Sequence, residues 1–256
     1  MSDDLDELAA LARRAGDLIM DIYARGFEAS EKADGSAVTA ADDAAEALIL
    51  AGLAEAYSGV PVLAEEAAAR GEIPDLGPRF FLVDPLDGTR EFVNRTGEFT
   101  VNIALVEDGR PVLGIVLAPA ADRLFAGAAG RGAWVEEDGA RRAIRTRERP
   151  EGALVAVASR SHRSPETQAF LDDLGVTEFE PAGSSLKFCL VANGEADVYP
   201  RLGRTMEWDT GAGQAVLEAA GGRVHALDGS GQELGPLAYG KKDRGYDNPH
   251  FIAWGV

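Results

Sequence analysis

Two short stretches of this 256-residue chain place acids where chemistry can use them. Leu63-Ala64-Glu65-Glu66 closes one apolar run on a carboxylate pair, and Phe81-Leu-Val-Asp84-Pro85-Leu86-Asp87-Gly88-Thr89 closes the next on another. Pro85 restricts Asp84 to extended backbone and Gly88 allows close backbone approach. The spacing therefore predicts a compact bend in which Asp84 and Asp87 face one point and the Leu86 carbonyl is free to join them. Oxygen donors without clustered Cys or His select hard cations, Mg²⁺ or Mn²⁺. Taken alone, Asp-Pro-Leu-Asp-Gly also reads as an exposed turn, since these residues are all turn formers. The apolar strand before it, the acid pair ending a neighbouring strand and the Thr89 hydroxyl favour the metal reading. Farther on, Glu207-Trp208-Asp209-Thr210-Gly211 opens an apolar helix. Asp209 is either its N-cap or a further ligand from the second half of the chain, which would set the site between two subdomains.

The elements that must hold these acids are partly visible. Leu5, Leu8, Leu11, Ala12, Ala15, Leu18, Ile19 and Ile22 recur at helical spacing, and Thr39-Ala-Ala-Asp42 has the capping-box pattern ahead of a second helix through Ala56. Val60–Leu63 and Phe80–Val83 read as strands. Asp108-Gly109 and Asp138-Gly139 mark hairpin turns between β-rich runs. After Pro150 the pattern alternates: a strand at Leu154–Ala158, a helix at Pro165–Leu174, a helix at Ser184–Ala192 stopped by Asn193-Gly194, a strand at Ala196–Tyr199 and a helix at Thr210–Ala220. Layered α and β structure in two subdomains, residues 1–150 and 151–256, is the expectation.

Composition narrows the partners. Lys and Arg number 25 against 43 Asp and Glu, a formal charge of −18. That field repels nucleic-acid polymers and anionic membrane surfaces, yet admits a small anionic substrate wherever a cation neutralises the site. The acidic N-terminus is the opposite of a signal-peptide n-region, no apolar run is long enough to span a bilayer, and single Cys189 forms no intrachain disulfide. Gly235-Pro-Leu-Ala-Tyr-Gly240-Lys241-Lys242 nearly spells a P-loop, but Lys242 stands where Ser or Thr must meet Mg²⁺ and no helix pattern follows.

Together, Glu65-Glu66, Asp84-Pro-Leu-Asp-Gly-Thr89 and Glu207-Trp-Asp209 resemble, in order and separation, the signatures of the inositol monophosphatase-like, Mg²⁺-dependent, lithium-sensitive phosphatases. Within that superfamily, Lys32–Asp42, Thr89-Arg-Glu-Phe92, Gly97–Ala104, Ser159-Arg-Ser-His162 and the tail Asn248–Trp254 resemble the 3′(2′),5′-bisphosphate nucleotidase (CysQ-type) branch. Ala37 departs from the Pro expected in the first of these segments; it loosens a loop and removes no functional group.

The resemblance implies an α+β fold, a layered αβαβα sandwich of the inositol monophosphatase and fructose-1,6-bisphosphatase type. It implies that Glu65, Asp84, the Leu86 carbonyl, Asp87 and Asp209 hold two or three Mg²⁺ ions, with Mn²⁺ a possible substitute. Asp42 and Thr89 would orient or deprotonate the attacking water, with Glu65 a competing base. Gly88 and Thr89 would meet the phosphate. Asp87, Asp209, Gly183, Ser184, Lys187, Ser159, Arg160 and His162 would complete the substrate site, with Gly183-Ser184-Ser185 opening a helix toward an anion. The implied reaction is hydrolysis of the 3′-phosphate of adenosine 3′,5′-bisphosphate in the cytoplasm, linked to sulfate assimilation, with room for peripheral attachment to the inner membrane and with a monomer or homodimer both open. Two alternatives stand beside it: the same chemistry on inositol or sugar phosphates, and a non-catalytic Mg²⁺- or nucleotide-binding domain.

Overall fold

The computed structural model describes residues 3–31, 37–150, 152–158 and 165–255. Helix α1 (Asp3–Arg25) buries Leu5, Leu8, Ala12, Ala15 and Ile19 along one stripe, as their spacing requires. A ribbon of β1 (Ala29–Glu31) and β2 (Ala37–Thr39) leads into α2 (Ala40–Ala56). The capping box at its start is formed: Thr39 Oγ1 accepts from Ala41 N–H, and the Asp42 carboxylate accepts from Thr39 N–H at 2.8 Å.

A seven-stranded sheet follows in chain order: β3 (Val62–Ala64), β4 (Arg79–Asp87), β5 (Thr100–Glu107), β6 (Arg110–Ala118), β7 (Arg123–Ala128), β8 (Gly132–Glu137) and β9 (Ala140–Ile144). Only β3 and β4 run parallel. Two short helices, α3 (Glu65–Ala69) and α4 (Thr89–Val93), leave the ends of β3 and β4. The second half builds a six-stranded sheet from β10 (Leu154–Ala158), β11 (Val176–Pro181), β12 (Val198–Arg201), β13 (Arg223–Leu227), β14 (Glu233–Pro236) and β15 (Phe251–Trp254), in the spatial order β11-β10-β12-β15-β13-β14. Its helices are α5 (Pro165–Asp173), α6 (Leu186–Ala192) and α7 (Gly211–Ala219).

Strand alternation assigns the layers. In β4, Phe81 and Val83 pack with α1 and α2, while Phe80 and Leu82 pack with Phe188 of α6 and Ala212 and Val216 of α7. In β10, Val157 joins that same central cluster, whereas Leu154 and Ala156 pack with Leu171 of α5 on the other face. The order is helices, sheet, helices, sheet, helix: the expected αβαβα sandwich. Among the described residues no helix is long and apolar enough to cross a membrane.

Helix α7 is seated directly on the first sheet. A Cβ at Gly114 of β6 would overlap the Ala212 carbonyl oxygen and lie 2.8 Å from Ala215 Cβ. Gly114→Val is therefore expected to destabilise the fold by about 1–3 kcal/mol through overpacking. Because α7 follows directly on Asp209, it should also lower activity more than a matched surface substitution. Thermal melting and initial rates on the same sample check both.

Candidate active site

The Asp84–Asp87 segment departs from the sequence expectation. It is not a bend beyond the strand; β4 continues through it to Asp87. Across the sheet Asp84 pairs with Asn102 and Asp87 with Thr100, three residues against two, so the segment contains a bulge. In a regular strand residues three apart face opposite sides. The extra residue brings both carboxylates to one side, and the bulge accommodates Pro85, which has no N–H for the ladder. The bend comes one residue later, at Gly88, where φ of 92° turns the chain into α4.

Glu65 and Asp42 arrive from the helical side. Ala64 at the start of α3 offers no capping side chain. Buried Glu46 of α2 supplies it instead, accepting from Glu66 N–H at 2.7 Å and Ala67 N–H at 2.9 Å, with Arg70 Nη2 at 3.2 Å. Glu46 thereby fixes the turn that carries Glu65. The sequence reading missed it; its only signal is an acid between Ala45 and Ile49 on the buried face of α2. Asp42 divides its two oxygens. Oδ2 accepts from Thr39 N–H and Oγ1–H, both at 2.8 Å, and Oδ1 accepts from the Thr89 hydroxyl at 3.0 Å. Helix capping and the pairing with Thr89 are thus both present. The Leu86 carbonyl lies 3.2 Å from the same Thr89 oxygen, so the one hydroxyl proton has two acceptors.

Asp209 comes from the second half of the chain. It does not cap α7: Thr210 holds the N-cap position without a side-chain capping bond, and Asp209 Oδ2 instead accepts from Met206 N–H at 2.8 Å. Three anchors hold this loop. Asn248 Nδ2 donates to the Met206 carbonyl at 2.8 Å and to Thr210 Oγ1 at 3.0 Å. The fully buried Glu207 carboxylate accepts from Gly240 N–H at 2.7 Å and Lys241 N–H at 2.8 Å, and Lys241 Nζ stands 2.9 Å away. The near-P-loop is thus a cradle for Glu207, and a 3₁₀ turn at Lys242–Arg244 follows it. Ser185 Oγ ties the halves together, 2.7 Å from the Asp209 carbonyl and 3.2 Å from Asp87 Oδ2.

The acids bear on one another electrostatically. Burial first, then the neighbouring carboxylates, pushes the Asp84 and Asp209 carboxyls well above the usual range. Burial also raises Asp87, against which Lys187, Ser185 and Asn102 act. Glu65 adds to the push on Asp84 both by its charge and by its close approach. Among the described residues no group of three or more acids is already spaced to hold a metal ion. Four acids and a carbonyl, all oxygen, fit a hard divalent cation that would relieve their repulsion. Asn102 Oδ1 and Thr100 Oγ1, across the strand from these acids, are buried without a hydrogen-bond partner.

A cavity of about 160 Å³ opens beside the acids, lined by Asp87, Gly88, Gly183, Ser184, Lys187 and Asp209 among others. Helix α6 begins only at Leu186, and Ser184 Oγ donates to the Asp87 and Glu98 carbonyls (2.8 and 2.9 Å), so that hydroxyl serves the backbone. Lys187 is the larger surprise. A helical lysine is ordinarily solvated, but this one is 6% exposed, and it has no ion-pair partner among the described residues. Burial lowers its pKa to about 8. Arg90 and Arg201, which the sequence reading did not single out, line the same cavity. Ser159, Arg160 and His162 lie outside the described residues.

Comparison with known proteins agrees with this geometry. Residues 2–251 match the model of the inositol monophosphatase family. The 3′(2′),5′-bisphosphate nucleotidase CysQ of Escherichia coli K12 is 47% identical over 250 residues, covering 96% of this chain and 98% of that protein. The crystal structure of CysQ from Bacteroides thetaiotaomicron superposes with a TM-score of 0.78 at 37% identity, covering 100% of this chain and 99% of the other. An IMPase from Thermotoga maritima gives 0.79 at 27% identity, over 99% and 92%. With a family match over nearly its whole length, and a fold and acid cluster to suit, the chain belongs to the inositol monophosphatase family, a family of metal-dependent phosphatases.

Proposed function

We propose that the chain removes the 3′-phosphate of adenosine 3′,5′-bisphosphate, yielding AMP and phosphate. The observation that carries this reading is a buried cation, Lys187, without an ion-pair partner among the described residues, in the cavity beside the acids. A substrate with two phosphates suits it: one at the acids, one at Lys187 and Arg201. Glu65, Asp84, the Leu86 carbonyl, Asp87 and Asp209 would hold Mg²⁺, two or three ions, with Mn²⁺ able to substitute. Bound there, the metal neutralises phosphate charge and lowers the pKa of water. Thr89, with its proton directed at Asp42, presents a lone pair to the attacking water; as Thr89 takes the water's proton it passes its own to Asp42. The Gly88 backbone and Thr89 face the phosphate; Gly183 and Ser184 wall the cavity, and Ser159, Arg160 and His162 are proposed toward the nucleoside. We assign residues 1–150 and 151–256 to two subdomains meeting at the site, and the cytoplasm as the place of action, where sulfate assimilation supplies the substrate.

Phosphate release should be measured from adenosine 3′,5′-bisphosphate, inositol 1-phosphate, fructose 1,6-bisphosphate and AMP, with Mg²⁺ and with added lithium. Preference for the first, suppressed by lithium, supports the proposal; preference for inositol 1-phosphate removes the nucleotide from it. Lys187→Met should raise KM for the bisphosphate by about 10- to 100-fold, the scale of one charge-assisted hydrogen bond, and leave inositol 1-phosphate nearly unchanged. The pH dependence has a definite sign. A base with a lowered pKa loses its charge as pH rises through about 8, so KM for the bisphosphate should climb above that pH. Lys187→Arg should flatten the climb, because guanidinium stays protonated.

A further inference from the structure

A second cavity, of about 340 Å³, lies against the same acids. Asp209 lines both cavities, Glu65 only this one and Asp87 only the first. The charge on the two walls differs. The first carries Arg90, Lys187 and Arg201 against Asp87, Glu91 and Asp209, three cations to three acids. The second has Glu65, Asp209 and Arg204 as its charged residues, and Arg204 Nε is paired with Asp247 Oδ1 at 3.0 Å. With that cation neutralised, the second wall is net negative. Its rim includes Ala69, the exposed last residue of α3, and Ile73, a large apolar side chain left 47% exposed.

We infer that the active centre has two mouths of opposite preference: the phosphate ester enters past Lys187 and Arg201, and the divalent cation enters through the second cavity, past Ala69 and Arg204. The inference rests on the proposed reading of Glu65 and Asp209 as metal ligands. A cleft lined by one sign of charge raises the encounter rate of the opposite ion, whereas a wall whose three cations and three acids balance gives a dication no such help. In-line displacement also places nucleophile and leaving group on opposite sides of phosphorus. With the nucleoside in the first cavity, the second leaves Glu65 and Asp209 open to water and cation.

Steering acts on association, so charge is placed on the rim and away from the ligands. Ala69→Lys, Ala69→Glu and, as a neutral reference, Ala69→Gln sit at the exposed end of a helix and leave the core untouched. Tb³⁺ is the probe; its luminescence is sensitised by a nearby indole, and Trp208 adjoins Asp209 in sequence. Stopped-flow mixing at low ionic strength should show association about fivefold slower for Lys and about fivefold faster for Glu, relative to Gln. The dissociation rate should be unchanged, and the differences should vanish near 0.5 M salt. KM for adenosine 3′,5′-bisphosphate at saturating Mg²⁺ should be the same in all three. Equal association rates would overturn the inference, as would a KM that follows the charge, which would put the ester at this mouth. No Tb³⁺ signal in any variant would overturn the ligand reading beneath it. The binding assay contains no substrate, so it stands whichever phosphate ester the chain hydrolyses.

Discussion

Asp84→Asn is expected to lower phosphate release by at least about a thousandfold while leaving the metal-free protein no less stable, and this opposition is the informative part. In the metal-free fold Asp84 is 1% exposed, accepts from Leu86 N–H at 3.1 Å, and meets the like charges of Glu65, Asp87 and Asp209. An asparagine keeps the bond to Leu86 through Oδ1. Its Nδ2 offers the neighbouring acids a hydrogen where the native carboxylate offers only like charge. It also removes one of four like charges. The ordinary consequence of mutating a buried polar residue is lost stability; here the melting temperature without metal should hold or rise. What should disappear is stabilisation by Mg²⁺. A ligand that binds only the folded state adds about 2.7 kcal/mol at a hundred times its Kd, and a cluster stripped of one anionic donor binds far more weakly. Melting curves with and without Mg²⁺, for wild type and variant, give the whole comparison. A variant that still gains full stability from Mg²⁺ would remove Asp84 from the ligand set.

How far the residues announced all this depends on what each one answers to. The hairpins at Asp108-Gly109 and Asp138-Gly139 were legible because a two-residue turn is local chemistry; both Asp residues do adopt positive φ, at 47° and 51°. Helices α1 and α2 were legible from their periodicity and cap. The acids at 65, 84, 87 and 209 stood out as clusters after strands and before a helix. What escaped was set by partners distant in sequence. Strand β7 contains Ala126, Gly127 and Ala128, poor β-formers that are small because α7 lies on them; a Cβ at Gly127 would sit 2.8 Å from Val216 Cα. The Asp84–Asp87 bulge exists only as a mismatch with β5, so Pro85 read as a turn. Lys187 looked like any helical lysine, since its burial comes from packing between the sheets. Glu46 and Glu207 make contacts across 20 and 33 residues, and no local pattern marks an acid as the cap of another element.

Asp42→Asn should then separate catalysis from binding. The two oxygens of Asp42 do different work, so the orientation of an asparagine is dictated by its neighbours. The atom facing Thr39 must accept, because it meets a backbone N–H and a hydroxyl at 2.8 Å each. The amide Nδ2 is left facing Thr89. Thr89 Oγ1 must now accept from it, and its own proton turns to the Leu86 carbonyl, 3.2 Å away. One Thr89 lone pair is then engaged, its proton points away from residue 42, and no acid stands behind it to take a proton. The expected result is a fall in kcat of about 10²–10⁴, the usual range for a lost general base. Mg²⁺ affinity by calorimetry should stay within about twofold of wild type, and the melting temperature nearly unchanged, since the cap of α2 survives. Thr89→Ala should reproduce the loss and Thr89→Ser should recover most of the rate. The double variant should be no slower than either single one, because residues that act as one unit are not additive. Glu65 is the rival base, and the same experiment decides between them. If Asp42→Asn and Thr89→Ala turn over at wild-type rates with metal bound, the proton goes to Glu65 and the pair is only a helix cap joined to a turn.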